Sequence, residues 1–281
     1  MLLIKTRKQL IAHLSTLKEN HSLGLVPTMG ALHIGHAALV NRAVEENNVV
    51  VVSIFINPTQ FNNTNDLEKY PQTLKADIEV LERISKDIIV FAPSIEEMYS
   101  DKVKSINYNF GGLEQVMEGV FRAGHFDGVG TIVESLLTLV KANNAYFGEK
   151  DFQQLQIIRK LTEIRKIPVK IIGCPIVREA NGLAFSSRNE RLSKNIRKEA
   201  AFIYEILKSA KKYFGTKSAK NVKDWVTKQF EQHPDLKLEY IEITDAKTLK
   251  SVIKKQKNKK YRAFIAVYAE GVRLIDNIAL N

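Results

Sequence analysis

Cysteine is almost missing from this sequence of 281 residues, in which Cys174 is the single one. One thiol excludes an internal disulfide and any metal site built from a cysteine cluster. No apolar run approaches the roughly 18 residues that a membrane-spanning helix needs, and residues 1–5 are too short and too soon charged for a secretory signal. These absences predict a cytoplasmic protein that has no membrane partner.

Acidic residues are also in short supply, since 31 Asp and Glu face 42 Lys and Arg, a net charge of +11. The whole excess lies in residues 177–281, because residues 1–176 are balanced. A lysine run at 254–260 is open to interpretation as a nucleic-acid patch. Its lysines have no aromatic residues between them, so we favour a solvated loop that attracts polyanions and expect no nucleic-acid partner.

The common signatures for phosphate binding and covalent catalysis are absent as well. The sequence contains no Walker A loop, no G-x-G-x-x-G and no G-x-S-x-G. Covalent catalysis and a structural metal therefore lack support.

Short β-branched runs alternate with helical patterns through the first two thirds of the chain. The run at 49–56 is apolar on both faces, which indicates a strand covered on both sides. This alternation predicts a parallel sheet of βαβ units over residues 1–176, with ligands beyond the carboxyl ends of the strands. The predicted strands are 23–27, 49–56, 88–91, 145–147 and 169–172, and the helices between them 36–46, 73–85, 128–141 and 152–165.

The pattern changes after residue 176. Two lysine-rich helices, 194–214 and 219–232, precede three strands of alternating polarity, 236–243, 261–268 and 272–277. Residues 177–281 are thus predicted to form a smaller α+β domain with an antiparallel sheet.

Two histidines follow the first predicted strand in the segment PTMGALHIGH, residues 27–36. His33 and His36 lie on one face of a helix start, where unpaired main-chain N–H groups suit a phosphate. Gly35 leaves room for a ligand to approach the backbone. We interpret the segment as a site for a nucleotide polyphosphate held by backbone amides and both histidines. The alternative is two surface histidines at a helix start.

Three further segments place polar residues after a strand or at the domain boundary. Asn57 and Gln60 form an amide pair suited to a hydroxy acid, although Asn before Pro also begins turns.

The second of these segments follows the strand predicted at 145–147. Gly148 permits close approach of a ligand, Lys150 offers a mobile charge, and Asp151 either caps the helix or binds a ligand. Gln154 is expected one helical turn beyond Lys150. At the boundary, Ser186, Ser187 and Arg188 form a phosphate-binding set or an ordinary polar linker.

Two residues outside these segments are weaker candidates. Asp77 on the helix 73–85 is either a ligand of hydrated magnesium or a solvated carboxylate. His125, in RAGHFDGVG, is expected in a structural or substrate-lining turn.

Five segments in this order, PTMGALHIGH, FINPTQF, RAGHFDGVGTIV, FGEKDFQQL and REANGLAFSSRN, closely resemble the pantoate–β-alanine ligase family. The resemblance implies a Rossmann-like domain with a HIGH motif, residues 1–176, that binds ATP and pantoate, and a C-terminal lid domain, residues 177–281. It further implies ATP and Mg²⁺, a homodimer, and condensation of pantoate with β-alanine through a pantoyl adenylate.

The resemblance also implies site residues. His33, His36 and Lys150 would act on the phosphates, Asn57, Gln60 and Gln154 would bind the small substrates, and Asp77 remains the candidate for the metal. The residues implied for ATP are Met29, Gly30, Ala31, Leu32, His33, Ile34, Gly35, His36, Gly148, Glu149, Lys150, Asp151, Val177, Phe185, Ser186, Ser187 and Arg188.

Two other functions stay open. A nucleotidyltransferase with another substrate would share the HIGH motif but has no evident use for the amides Asn57, Gln60 and Gln154. A tRNA-acting protein would use the HIGH motif and the basic last third, and would bind tRNA at physiological salt.

Overall fold

The computed structural model describes residues 1–61, 64–99 and 102–281, and the side chains of residues 64 and 65 are outside this description. The chain divides into two compact units. The first comprises Met1–Glu149 and Gln154–Pro175, and the second comprises Lys150–Gln153 and Ile176–Asn281. Among the described residues, no helix is long and apolar enough to cross a membrane.

The first unit is built on a six-stranded sheet whose strands all run parallel. Its order is β1-β4-β3-β2-β5-β6, so β2 lies in the interior between β3 and β5. The strands are β1 (Leu2–Ile4), β2 (Leu23–Thr28), β3 (Val49–Ile54), β4 (Ile89–Phe91), β5 (Asn144–Gly148) and β6 (Lys170–Cys174).

Helices connect these strands. Within the described residues they are α1 (Arg7–Leu14), α2 (Ile34–Glu46), α3 (Thr64–Glu68), α4 (Leu74–Glu82), α5 (Ile95–Met98), α6 (Glu118–Phe121), α7 (His125–Val140) and α8 (Phe152–Arg165). Val26 and Val52 of the sheet pack with Leu39 of α2 and Leu81 of α4 in one buried cluster, while α7 contacts β2. Val50, Val51 and Val52 are all buried, which confirms the prediction of a strand covered on both faces.

The second unit contains a three-stranded antiparallel sheet, β7-β8-β9. Its strands are β7 (Leu236–Asp245), β8 (Tyr261–Ala269) and β9 (Val272–Ala279), and its helices are α9 (Lys194–Glu199), α10 (Phe202–Thr216) and α11 (Ala219–Glu231). Apolar residues of α10, α11 and the sheet form one buried cluster that includes Leu207, Val226 and Ile265. The predicted α/β class, with a parallel sheet and a smaller α+β part, is confirmed.

The structure differs from the sequence predictions at several elements, among them four helices of the first unit, α1, α3, α5 and α6, that the sequence analysis does not predict. The sequence does not predict strand β1, because three residues beside Lys5 are too few for a period to show. The single helix predicted at 194–214 is two helices, α9 and α10, separated by Ala200 and Ala201. Lys150 lies in a 3₁₀ turn, Glu149–Asp151, and α8 begins only at Phe152. Lys150 and Gln154 therefore do not share a helix as expected.

Candidate active site

The loop between β2 and α2 follows the carboxyl end of an interior strand. Thr28 donates its hydroxyl to the carbonyl of Ser53 on β3 at 2.7 Å, and its Oγ1 accepts the N–H of Gly30 at 3.2 Å. Gly30 and Ala31 both have left-handed backbone, with φ values of 78° and 49°. This conformation suits glycine and is costly for alanine. Something outside the loop must therefore hold Ala31 in place.

Asp77 on α4 makes that contact. Its Oδ2 accepts the N–H of Ala31 at 3.2 Å, and its Oδ1 accepts the N–H of Leu32 at 2.7 Å. Thr73 donates its hydroxyl to Oδ1 at 3.2 Å, and the Asp77 side chain is buried. A Cβ on Gly30 would stand 2.9 Å from Oδ2, so the loop and the carboxylate fit closely.

His33 and His36 form a reciprocal cap at the start of α2. His33 is the N-cap residue, and its Nδ1 accepts the N–H of Gly35 at 3.1 Å. Nδ1 of His36 accepts the N–H of His33 at 3.3 Å, and the ring centroids are 4.1 Å apart. Because each Nδ1 is an acceptor, a neutral ring carries its hydrogen on Nε2. Each imidazole is thereby fixed as an Nε2–H donor.

Main-chain amides of this loop are therefore largely paired within the protein. The N–H groups of residues 30–33 and 35 all donate to side chains of the first unit. This differs from the expectation that backbone amides hold the phosphate, because a phosphate there would have to replace an existing hydrogen bond. The two histidine side chains are further donors of this loop.

Gln60 lies beside the loop, in a 3₁₀ turn at Pro58–Gln60 that follows β3. Its Nε2 is 2.7 Å from Sδ of Met29, which joins two segments that the sequence assigns to different substrates. Neighbouring Asn57 is only 1% exposed, and its Nδ2 donates to the Gly128 carbonyl at 3.0 Å and to Oε1 of Gln60 at 3.3 Å. Oδ1 of Asn57 accepts from Tyr99, whose phenol pKa is raised by burial. Both the nitrogen and the oxygen of the Asn57 amide are therefore hydrogen-bonded within the protein. We interpret Asn57 as a residue that positions Gln60.

The segment RAGHFDGVG holds the backbone of Gln60 from the other side. Nδ1 of His125 lies 2.8 Å from the Gln60 carbonyl, and Nε2 lies 3.1 Å from Nη1 of Arg122. A carbonyl only accepts and a guanidinium only donates, so His125 is neutral with its hydrogen on Nδ1. A Cβ on Gly128 would stand 2.3 Å from the Thr59 carbonyl, so only glycine permits this approach of α7.

In the second unit, Lys150 is anchored through its main chain. Its carbonyl accepts Nδ2 of Asn277 on β9 at 2.8 Å. Its ammonium is 3.7 Å from the carboxylate of Asp151, and the Lys150 side chain is 20% exposed. The main chain of Lys150 is fixed, but its long, flexible side chain lets the ammonium group change position.

The segment 177–191 of the second unit is a hairpin followed by a 3₁₀ helix. Phe185 donates its N–H to the Val177 carbonyl at 3.0 Å, and Ser186 caps the 3₁₀ helix Ser187–Arg191 by accepting the N–H of Arg188 at 3.3 Å. Val177, Phe185, Ser186, Ser187 and Arg188 are all half-buried. The segment is thus an ordered part of the unit.

Arg178 secures this hairpin. Its guanidinium forms a bidentate pair with Asp276 at 2.6 and 2.9 Å and lies over the ring of Tyr204, 3.6 Å from its centroid. A bidentate pair fixes orientation as well as distance. The alternative interpretation of this segment, an ordinary polar linker, does not explain contacts of this kind.

The remaining predicted residues are placed as follows. Gly148 ends β5, Glu149 lies in the adjoining 3₁₀ turn and Gln154 is half-buried on α8. Ile34, the first residue of α2, is exposed.

A model of the family described as pantoate-beta-alanine ligase matches residues 2–279. The chain belongs to this family. Members of the pantoate–β-alanine ligase family named pantothenate synthetase include a protein of Christiangramia forsetii, 58% identical over 100% of both chains. A second, of Flavobacterium psychrophilum, is 55% identical over 94% of each. The family resemblance stated from the five segments is thereby confirmed.

Solved structures of pantoate–β-alanine ligases share the fold of the whole chain. Pantothenate synthetase of Thermus thermophilus is 37% identical, with a TM-score of 0.91 over 100% of this chain and 99% of that one. The pantoate–β-alanine ligase of Francisella tularensis, solved as a complex with beta-gamma ATP and β-alanine, has a TM-score of 0.81 at 37% identity. This match covers 100% of the present chain and 98% of the Francisella tularensis chain.

Magnesium, which the family resemblance implies, does not fit Asp77. Mg²⁺ keeps several waters and takes oxygen ligands in a strict octahedron. Both oxygens of Asp77 already accept main-chain hydrogen bonds, and the residue is only 2% exposed. Among the residues that the structure describes, no group of three or more His, Cys, Asp or Glu forms a metal site.

Sequence reasoning missed the residues that support the site, which are Thr28, Thr73, Tyr99, Arg122 and Asn277. Apart from Thr73, each makes a contact with a residue far away in sequence, which for Arg122 is the donation from Nη2 to the Gln60 carbonyl at 3.4 Å. No local pattern indicates such a contact. The sequence does contain one indication, the segment RAGHFDGVG, whose glycines are typical of a place where two backbones approach closely.

Proposed function

We propose that the chain catalyses the ATP-dependent condensation of (R)-pantoate with β-alanine to pantothenate, AMP and pyrophosphate. Membership of the pantoate–β-alanine ligase family supports this reaction, as does the Francisella tularensis relative solved with beta-gamma ATP and β-alanine. The observation that carries it is the contact between Gln60 and Met29. It brings the proposed pantoate residue against the proposed ATP loop within one unit.

The reaction is proposed to run in two steps. A carboxylate oxygen of pantoate bonds to the α-phosphorus of ATP, and the bond to the bridging oxygen breaks, so that pyrophosphate leaves with the electron pair. The amine of β-alanine then attacks the acyl carbon of the pantoyl adenylate and loses a proton, and AMP leaves. Because a carboxylate is already nucleophilic, the protein contributes positioning and charge stabilisation.

In the first unit, we assign ATP binding to the loop 29–36 and to Gly148 and Glu149. His33 and His36 would donate Nε2–H to phosphate oxygens, which suits the negative charge that develops as pyrophosphate leaves. Gln60 and Gln154 would bind pantoate with their amides, and Asn57 would keep Gln60 oriented.

In the second unit, we assign ATP phosphates to Lys150, and further ATP contacts to Asp151, Val177 and residues 185–188. Lysine follows a phosphate as a point charge, whereas Arg188 offers a planar set of donors. The anchoring of the Lys150 main chain by Asn277 supports this assignment.

Three further parts of the proposal come from the family resemblance. Mg²⁺ would accompany ATP, and no residue of the chain is assigned to it. The protein would act as a homodimer in the cytoplasm. Light scattering measures its mass in solution, and a monomer at assay concentration would contradict the dimer.

Isotope exchange between pyrophosphate and ATP tests the reaction. We expect exchange only when pantoate is supplied, and release of AMP only after β-alanine is added. A control with lactate, a smaller hydroxy acid, should give no exchange. Exchange without any acid would contradict the proposal, because it would show a nucleotidyl transfer that does not need pantoate.

A further inference from the structure

We propose that Asp77 is a positioning residue for the ATP loop, residues 29–36, and not a ligand of magnesium. This inference rests on the proposed function, since ATP binding at that loop is part of it. It deepens that function by naming what holds the loop in its binding conformation.

Asp77 contacts the loop directly. One carboxylate accepts two consecutive main-chain N–H groups, those of Ala31 at 3.2 Å and Leu32 at 2.7 Å, from a helix more than forty residues away in sequence. Thr73 donates to the same carboxylate at 3.2 Å, so the side chain is itself oriented. Hydrogen bonds to an ionised acceptor are stronger than those between neutral groups.

The conformation of the loop also indicates this role. Gly30 and Ala31 are consecutive left-handed residues, with φ values of 78° and 49°. In this backbone the N–H groups of Ala31 and Leu32 point to one common position. The Asp77 carboxylate occupies that position, and its hydrogen bonds offset the strain at Ala31.

The loop also carries a histidine. Residues 29–32 connect β2 to His33, whose ring caps α2 and is paired with His36. If the loop relaxes at Ala31, the position of His33 relative to β2 changes. Asp77 therefore acts on ATP through the imidazoles and not by touching it.

The test is the affinity for ATP, measured by titration calorimetry with EDTA and, separately, with Mg²⁺. Asp77→Asn keeps the size of the side chain but replaces one accepting oxygen by an NH₂ group. That group cannot accept the main-chain N–H that it faces. We expect Kd for ATP to rise by about tenfold in both buffers. The matched control is Glu79→Gln, which removes a carboxylate from an exposed position of the same helix and should leave Kd unchanged.

A second variant separates positioning from simple loss of stability. Ala31→Gly removes the strain that Asp77 offsets, so Asp77→Asn combined with Ala31→Gly should bind ATP severalfold more tightly than Asp77→Asn alone. If Asp77→Asn does not fold, Thr73→Val serves in its place. It removes only the hydroxyl that orients the carboxylate, and we expect Kd to rise by about threefold.

The outcomes distinguish the two proposals. Wild-type protein that binds no ATP in either buffer contradicts the proposed function and this inference with it. If wild type binds ATP and Asp77→Asn binds it equally well, the inference alone is overturned. A loss that appears with Mg²⁺ but not with EDTA would identify Asp77 as a metal ligand and also overturn it.

Discussion

His33 caps α2, and the proposed function gives it a second task that uses a different atom of the same ring. Nδ1 caps the helix by accepting the N–H of Gly35, while Nε2 carries the ring hydrogen that can be donated. A residue that only capped the helix could be Asn or Ser, which are the preferred N-cap residues. Histidine at this position adds the Nε2–H group, which the proposed function assigns to ATP.

This division predicts that stability and activity separate in His33→Asn. The Asn side chain still caps α2, so we expect the free energy of unfolding to stay within about 1 kcal/mol of wild type in urea denaturation. The donor at Nε2 is lost, so pyrophosphate exchange should fall by about 100-fold. Exchange near the wild-type rate would mean that His33 is only a cap.

The sequence predicted which residue types lie at the site but not how they are held. His33, His36 and Gln60 follow strand ends in a parallel sheet, a position that the alternation of strands and helices already indicates. The contact of Asp77 with Ala31 and Leu32 depends on tertiary packing, for which one sequence carries no local signal. For the same reason, the sequence alone leaves Asp77 as a candidate metal ligand.

At the scale of elements, α7 approaches the 3₁₀ turn Pro58–Gln60, which holds the residue proposed to bind pantoate. Gly128 lies against the main chain of Thr59 and Gln60, and its carbonyl accepts Nδ2 of Asn57. The main chains of α7 and of this turn are thus in direct contact.

Gly128→Ala should separate these two elements. Its Cβ would stand 2.3 Å from the Thr59 carbonyl, where neither backbone can yield cheaply. We expect a loss of about 1–3 kcal/mol in the free energy of unfolding, and a raised KM for pantoate in the folded enzyme. Thr138→Ala, at an exposed position of α7, is the control and should change the free energy by less than about 0.5 kcal/mol. Equal stability of the two variants would refute the close packing.

Element boundaries show where local pattern has its limits. Strands β2 and β3 are predicted to within two residues, because β3 begins with four consecutive valines and β2 begins with the apolar run 23–26. The break between α9 and α10 was missed because Ala200 and Ala201 favour helix as strongly as their neighbours. Both alanines keep right-handed helical backbone angles, and the break is one of hydrogen-bond pattern, since the N–H of Ala201 donates to the Lys198 carbonyl. Composition does not reveal such a change.

At the scale of the whole molecule, buried phenols make stability depend on alkaline pH. Burial raises the pKa of Tyr146 to about 12, with its hydroxyl between Asn47 and Glu46. Burial, together with the Glu134 carboxylate, raises the pKa of Tyr108 to about 12 as well. An unfolded tyrosine ionises near pH 10.

The sign of the effect follows from proton binding. Between about pH 10 and pH 12 the folded protein retains phenol protons that the unfolded chain has lost, so the free energy of unfolding falls as pH rises. In Tyr146→Phe this fall should be shallower than in wild type, whatever the stability of the variant at pH 8. Urea denaturation at pH 8, 10 and 11 measures the slopes, and parallel slopes would contradict the role of Tyr146.

The internal pairing of the amides at 30–33 and 35 bears on the design of inhibitors. A compound that offers an anion to these amides must first displace Asp77, Thr28 or an imidazole, so it exchanges one hydrogen bond for another and gains little. Phosphate mimics fitted to the loop backbone should therefore bind weakly. Scaffolds that leave these five hydrogen bonds intact are the better starting point for inhibitors of the proposed site.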